Sequence, residues 1–181
     1  MALSDTRRFE ELVLPHLDSA YNLARWLTRD SQDAQDVVQE ACVRALKYLG
    51  SLHRSDARAW FLTIVRNAFY DWLARNRPAE IVHDENAWVD GAVDEEAVNP
   101  EQAAIRNAEL RVLSDALAAL PVQYREVLIL RELEELSYKE IASIADIPVG
   151  TVMSRLARAR ALLQRSPLLY AIGGQAGRSA S

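Results

Sequence analysis

The sequence predicts an all-α protein of two small helical domains joined by an acidic flexible linker, the second ending in a helix-turn-helix. Three observations predict it. Apolar residues recur at helical spacing along most of the chain, strand-like alternation is scarce, and Gly and Pro number only six each in 181 residues. A stretch from 79 to 101 interrupts that pattern with eight acids and no Lys or Arg. Residues 136–163 read as two short helices about a proline turn, the second without an acid.

The elements follow in order. In the first domain, 5–77, segments 9–17 and 21–27 carry apolar residues at helical spacing, with Pro15 interrupting the join. Asp30 or Ser31 caps a third helix over 32–49. Its inward stripe is Ala34, Val37, Val38, Ala41, Ala45 and Leu49, and Gly50 stands where a left-handed helix terminus is favoured. Ser55 or Asp56 caps a fourth helix to about residue 75, in which Ala57, Trp60, Phe61, Ile64, Val65, Ala68 and Trp72 repeat at helical spacing. Residues 78–100 have no helical period and form the linker. The second domain, 101–165, opens on a helix over 101–120 with Ile105, Leu110, Leu113 and Leu117 inward. Pro121 starts the next helix, with Val127, Leu128, Leu130 and Leu133 inside. The tail, 166–181, is rich in Gly, Ala and Ser and is expected to be flexible.

The helix-turn-helix is the densest signal. Ser137 with Glu140 three residues on forms a capping box. Ile141, Ile144 and Ala145 then bury one face, and Asp146-Ile147-Pro148 breaks the helix. In the second helix Val152, Leu156, Ala159 and Leu163 fall within about 60° of one another at helical pitch, so they pack inward. Ser154, Ala157, Arg158 and Arg165 lie opposite, with Met153 and Arg155 on the flanks. A solvated helix of any bundle would show the same face. The capped first helix, the proline turn and the acid-free second helix together favour DNA. The net charge of −5 does not oppose this, because the eight acids of 79–101 outweigh it and the rest of the chain is net positive.

Composition excludes other classes. The single cysteine, Cys42, rules out an intramolecular disulfide and a cysteine-cluster metal site, and the three histidines lack ligand spacing. No nucleophile–base set appears, so neither catalytic residues nor a cofactor are expected. No run is long enough for membrane insertion and the first residues are polar, so the chain is expected to be cytoplasmic.

Several blocks, in order, resemble the extracytoplasmic-function (ECF) group of bacterial sigma factors, in the sigma-70 family, over nearly the whole chain. Residues 33–40, DAQDVVQE, look like the helix that binds the clamp helices of RNA polymerase. Residues 59–67, AWFLTIVRN, look like the segment that engages the −10 promoter element. LP at 120–121, REL at 131–133, LSYKEIA at 136–142 and PVGTV at 148–152, followed by Ser154-Arg155, look like the domain that reads the −35 element. The resemblance implies core RNA polymerase and promoter DNA as partners, and control by an anti-sigma factor. It makes Asp33, Asp36, Gln39 and Glu40 polymerase contacts, the last three forming one polar patch at helical spacing.

Strand opening needs a pocket that holds an unstacked base. The resemblance makes Asn67 its polar reader. Trp60 fits either its wall or the core, the loop 51–56 is a further wall, and Arg58 and Arg66 supply phosphate charge, as do Arg54, Arg75 and Arg77. In the second domain Ser154, Ala157 and Arg158 face base edges, while Thr151 and Arg155 hold phosphate. Two positions depart from the family's pattern. Met153 stands where relatives often carry a cation, and Leu52 or His53 stands where many carry an aromatic. A helix-turn-helix repressor acting without polymerase is the rival reading, but it leaves the first domain unexplained. A decoy that only sequesters an anti-sigma factor has no need of Asn67 or its neighbouring arginines.

Overall fold

The computed structural model describes residues 3–81 and 101–167. The linker residues 82–100 and the tail from 168 onward lie outside the described residues. Among the described residues the regular elements are all helices. The first unit holds α1 (Leu3–Leu12), α2 (Leu17–Thr28), α3 (Ser31–Lys47) and α4 (Ala57–Asn76). Pro15 lies in a single 3₁₀ turn, Leu14–His16, where its missing N–H costs no helix bond. α3 starts on Asp30, whose carboxylate accepts the Asp33 N–H at 2.8 Å. α2, α3 and α4 pack mutually around Leu23, Leu27, Val37, Ala41, Phe61, Val65 and Phe69, all buried.

The second unit holds α5 (Glu101–Ala118), α6 (Val122–Glu132), α7 (Tyr138–Ala145) and α8 (Val149–Gln164). Both partners of the Ser137–Glu140 capping box are present, at 2.8 and 3.2 Å. These bonds hold the Glu140 carboxyl below its ordinary pKa. Their contribution is therefore present at neutral pH and is lost as pH falls through the carboxylate range. Ser137→Ala is expected to cost about 1 kcal/mol at neutral pH, read from thermal unfolding; an unchanged midpoint would remove the box from the stability of α7. Asp146 ends α7 at φ 53°, a left-handed position that Asp tolerates better than most residues, and Pro148 opens α8.

Four expectations need correction. α3 stops at Lys47, before Gly50, and among the described residues no glycine has a positive φ. A 3₁₀ turn over Leu49–Ser51 ends the helix instead, and the Ser51 hydroxyl donates to the Tyr48 carbonyl at 2.8 Å. At the start of α4, Asp56 makes no side-chain cap, because a 3₁₀ turn over Arg54–Asp56 leads straight into the helix. On α5, Leu110 is 63% exposed and Leu113 41% exposed; burial begins at Ala116, where the last turn seats against the body. Leu133 is 50% exposed, because α6 ends at Glu132 and the chain turns, placing Leu136 inside instead.

The largest departure concerns α6. The spacing puts Val127, Leu128, Leu130 and Leu133 inside, yet Val122 and all of Tyr124 through Leu130 are buried. The reason is tertiary. α2 packs on α6 and α4 packs on α7, so the second unit closes onto the first and their buried residues form one continuous core.

Candidate nucleic-acid and polymerase interfaces

On α3, Asp36, Gln39 and Glu40 are exposed on one face, one turn apart as the spacing required. Glu40 accepts from Arg44 at 2.8 Å, and Arg44 reaches across to Asp71 of α4 at 2.7 Å. Asp33 differs from the other three. It is partly covered and sits 3.5 Å from Arg77, and burial, with Asp30 nearby, raises its carboxyl above the usual range. Val43 continues the Asp36 face one further turn along and is 63% exposed. It gives the polar patch an apolar point that the alternation of charges had hidden.

On α4 the expected residues divide. Asn67 is exposed. Trp60 is half-buried, packed on the core, and its indole N–H donates to the Ser51 hydroxyl at 3.3 Å. That bond brings the 51–56 loop to the side of α4 where it could wall a pocket. Within this loop Leu52 is buried and its carbonyl accepts from Arg8 at 2.7 Å, so His53 is the residue of the two that faces outward.

Arg75 is exposed, whereas Arg58 and Arg66 are engaged by the second unit. Arg58 donates from Nη2 to both the backbone carbonyl and the carboxylate of Glu134, each at 2.7 Å. Arg66 donates from Nε to the carboxylate of Glu126 and lies over the Tyr70 ring, 4.5 Å from its centroid. The Tyr70 hydroxyl donates to the other Glu126 oxygen at 3.0 Å. Burial, with the adjacent Glu126 charge, pushes the Tyr70 hydroxyl above its ordinary range, so it remains a donor. Glu126 is fully buried, with both oxygens occupied. Beside it Arg125, 1% exposed, donates to Ala118 O at 2.8 Å, Leu120 O at 3.2 Å and Leu27 O at 3.1 Å. It thereby caps the C-terminal carbonyls of α2 and the end of α5 with positive charge. Arg29 reaches Ala118 O from the other side at 3.4 Å, and Arg77 takes Thr28 O at 3.1 Å.

On α8, Ser154, Ala157 and Arg158 are exposed on the face opposite the buried Val152, Leu156 and Ala159. Thr151 is half-buried at the helix start, and its carbonyl accepts from the Ser154 hydroxyl at 3.1 Å. Arg155 is half-buried. Met153 is 53% exposed and Val149, four residues earlier, 41% exposed, so an apolar pair occupies the edge where a cation was expected. Arg160 pairs with Glu132 at 2.7 Å, and Arg131 ties the turn before α7 by donating to Leu136 O at 2.8 Å.

Three surfaces therefore stand out: the acidic face of α3, the α4 face around Asn67 and Arg66, and the outer face of α8. Sequence reasoning missed Tyr70, Arg125, Glu126 and Glu134. Nothing local marks them, because each acts on a partner in the other unit or at another helix's end.

Comparison with known proteins matches the same segments. Residues 12–78 match the family described as Sigma-70 region 2, and residues 110–163 match Sigma-70, region 4. The chain is 34% identical over 173 residues to the RNA polymerase sigma-H factor of Pseudomonas aeruginosa, covering 91% of this chain and 90% of that one. It is 35% identical over 164 residues to the ECF RNA polymerase sigma-E factor of Escherichia coli, covering 86% and 84%. Among solved structures it is similar to the sigma factor RpoE of Bartonella quintana, crystallised with the anti-sigma factor NepR. The TM-score is 0.68 at 29% identity, over 90% of this chain and 96% of that one. CnrH, solved with the cytosolic domain of CnrY, gives a TM-score of 0.62 at 28% identity over 88% and 86%.

Proposed function

This chain belongs to the ECF group of sigma-70 factors, which direct transcription initiation, and from that premise we propose how its surfaces divide the work. It is a non-catalytic specificity subunit that binds core RNA polymerase and promoter DNA, and bond formation belongs to the polymerase. The first unit, residues 5–77, docks on core through Asp36, Gln39 and Glu40, with Asp33 at the edge of the patch. It opens the −10 element through Asn67, backed by Trp60 and by Arg58 and Arg66. The second unit, residues 101–165, reads the −35 duplex with α8.

The observation that carries this reading is the outer face of α8. Ser154, Ala157 and Arg158 project from a capped helix-turn-helix whose second helix has no acid. Small residues let the backbone approach the groove, and Arg158 has the fork to read a guanine edge. Thr151 and Arg155 serve phosphate at the helix start. RpoE was solved with the anti-sigma factor NepR and CnrH with the cytosolic domain of CnrY, which supports an anti-sigma factor as a further partner of this chain.

Run-off transcription with core polymerase on a randomised promoter pool tests the reading. Enrichment of two short elements is expected; failure to co-purify with core would overturn it. In the same assay Arg158→Ala is expected to weaken −35-dependent output by about 1–3 kcal/mol of binding energy. Unchanged output at equal protein level would remove Arg158 from the reading set.

A further inference from the structure

We propose that this sigma factor occludes itself: Glu126 occupies Arg66 in the place of promoter phosphate and latches the second unit over the strand-opening face of α4. The proposal rests on the reading of that face as the −10 surface. Two observations carry it. Arg58 and Arg66, two of the arginines assigned to −10 phosphate, are both held by glutamates of the second unit, Glu134 and Glu126. Tyr70, one turn along α4 from Arg66, is held by the same Glu126 carboxylate. One closed arrangement therefore withdraws both Arg58 and Arg66 from the −10 surface.

The chemistry of the substitution is direct. A guanidinium reads a carboxylate and a phosphate with the same planar set of donors, so Glu126 and DNA compete for one group. The latch is buried, and burial sets its character. Desolvating Arg66 and Glu126 offsets much of their attraction, so such a pair specifies register more than it adds stability. When the units part, both charges regain water and Arg66 becomes available to phosphate. The closed state is thus geometrically strict but energetically within reach of a strong competing partner. Arg125 and Arg29 strengthen the same seam by sharing the carbonyls at the ends of α2 and α5.

The test uses the full chain without any anti-sigma factor. Small-angle scattering reports whether the units are closed, and fluorescence anisotropy reports binding of a random-sequence single-stranded DNA 20-mer pool. Wild type is expected to scatter as a compact particle. Glu126→Gln combined with Glu134→Gln is expected to expand and to bind the DNA pool about tenfold more tightly, as a competent state that was a minor fraction becomes the major one. Circular dichroism checks helix content. If the double variant loses helix, Glu134→Gln alone, at the edge of the seam, carries the test with a smaller shift in the same direction. A wild-type chain that is already extended overturns the proposal, as does an intact variant whose scattering and DNA affinity are both unchanged; run-off transcription would still support the promoter assignments in either case. Expansion without tighter DNA binding overturns the assignment of the α4 face, and with it the role of Glu126 as its guard.

Discussion

Arg125→Ala is expected to destabilise the protein by about 3–5 kcal/mol, the largest effect of any single substitution considered. The side chain is 1% exposed and donates to three backbone carbonyls. Two of them, Ala118 and Leu120, belong to the second unit itself, so the loss applies whether the units are closed or apart. Alanine would remove the Arg125 donor from all three carbonyls, with Ala118 keeping only Arg29 at 3.4 Å, and open a cavity. Against a total stability of about 5–15 kcal/mol, such a loss is a large share. Arg125→Lys retains the charge but not the fork, and an intermediate loss is expected of it. Denaturant titration followed by circular dichroism checks both. A shift below about 1 kcal/mol for the alanine variant would mean that water replaces Arg125 at these carbonyls.

Asp36→Arg combined with Glu40→Arg is expected to abolish core polymerase binding while leaving the fold intact. Both residues are exposed, and the surface pair of Glu40 with Arg44 is worth about 0–1 kcal/mol. Asp71 continues to hold Arg44 when Glu40 is lost. At an interface the same reversal sets like charges against a cationic partner, which costs several kcal/mol, on the order of a hundredfold or more in affinity. Titration of labelled core, beside an unchanged far-ultraviolet spectrum, separates binding from folding. Core affinity equal to wild type would refute the assigned face of α3. Val43→Ser probes the apolar point of the same face, where a smaller loss of affinity is expected.

Local chemistry was legible where it acts within a few residues. The Ser137–Glu140 box, the Asp30 cap, the proline turn before α8 and the inward stripe Val152, Leu156 and Ala159 all stand as the spacing implies. The exposed Ser154, Ala157 and Arg158 follow from the same periodicity. Charge was no guide to exposure on α6, and apolarity was no guide to burial on α5. Arg125 and Glu126 look like an ordinary solvated pair on α6, yet their partners lie 98 and 60 residues away. Leu110, Leu113 and Leu133 look like core, yet they are exposed because α5 is seated only at its last turn and α6 stops one residue short of Leu133. Amphipathic periodicity says which face of a helix is apolar; it does not say whether a second body covers the polar one.

By itself, then, the sequence determined the helices, their caps, the helix-turn-helix and the family, because capping, helical pitch and ordered motifs are written within short windows. Only the tertiary structure decided the relation between the two units. It placed Glu126 against Arg66 and Tyr70, Glu134 against Arg58, and Arg125 at the ends of α2 and α5. A buried ion pair forms where packing excludes water and brings distant groups within hydrogen-bonding reach, and neither condition is carried by the neighbours of those residues along the chain.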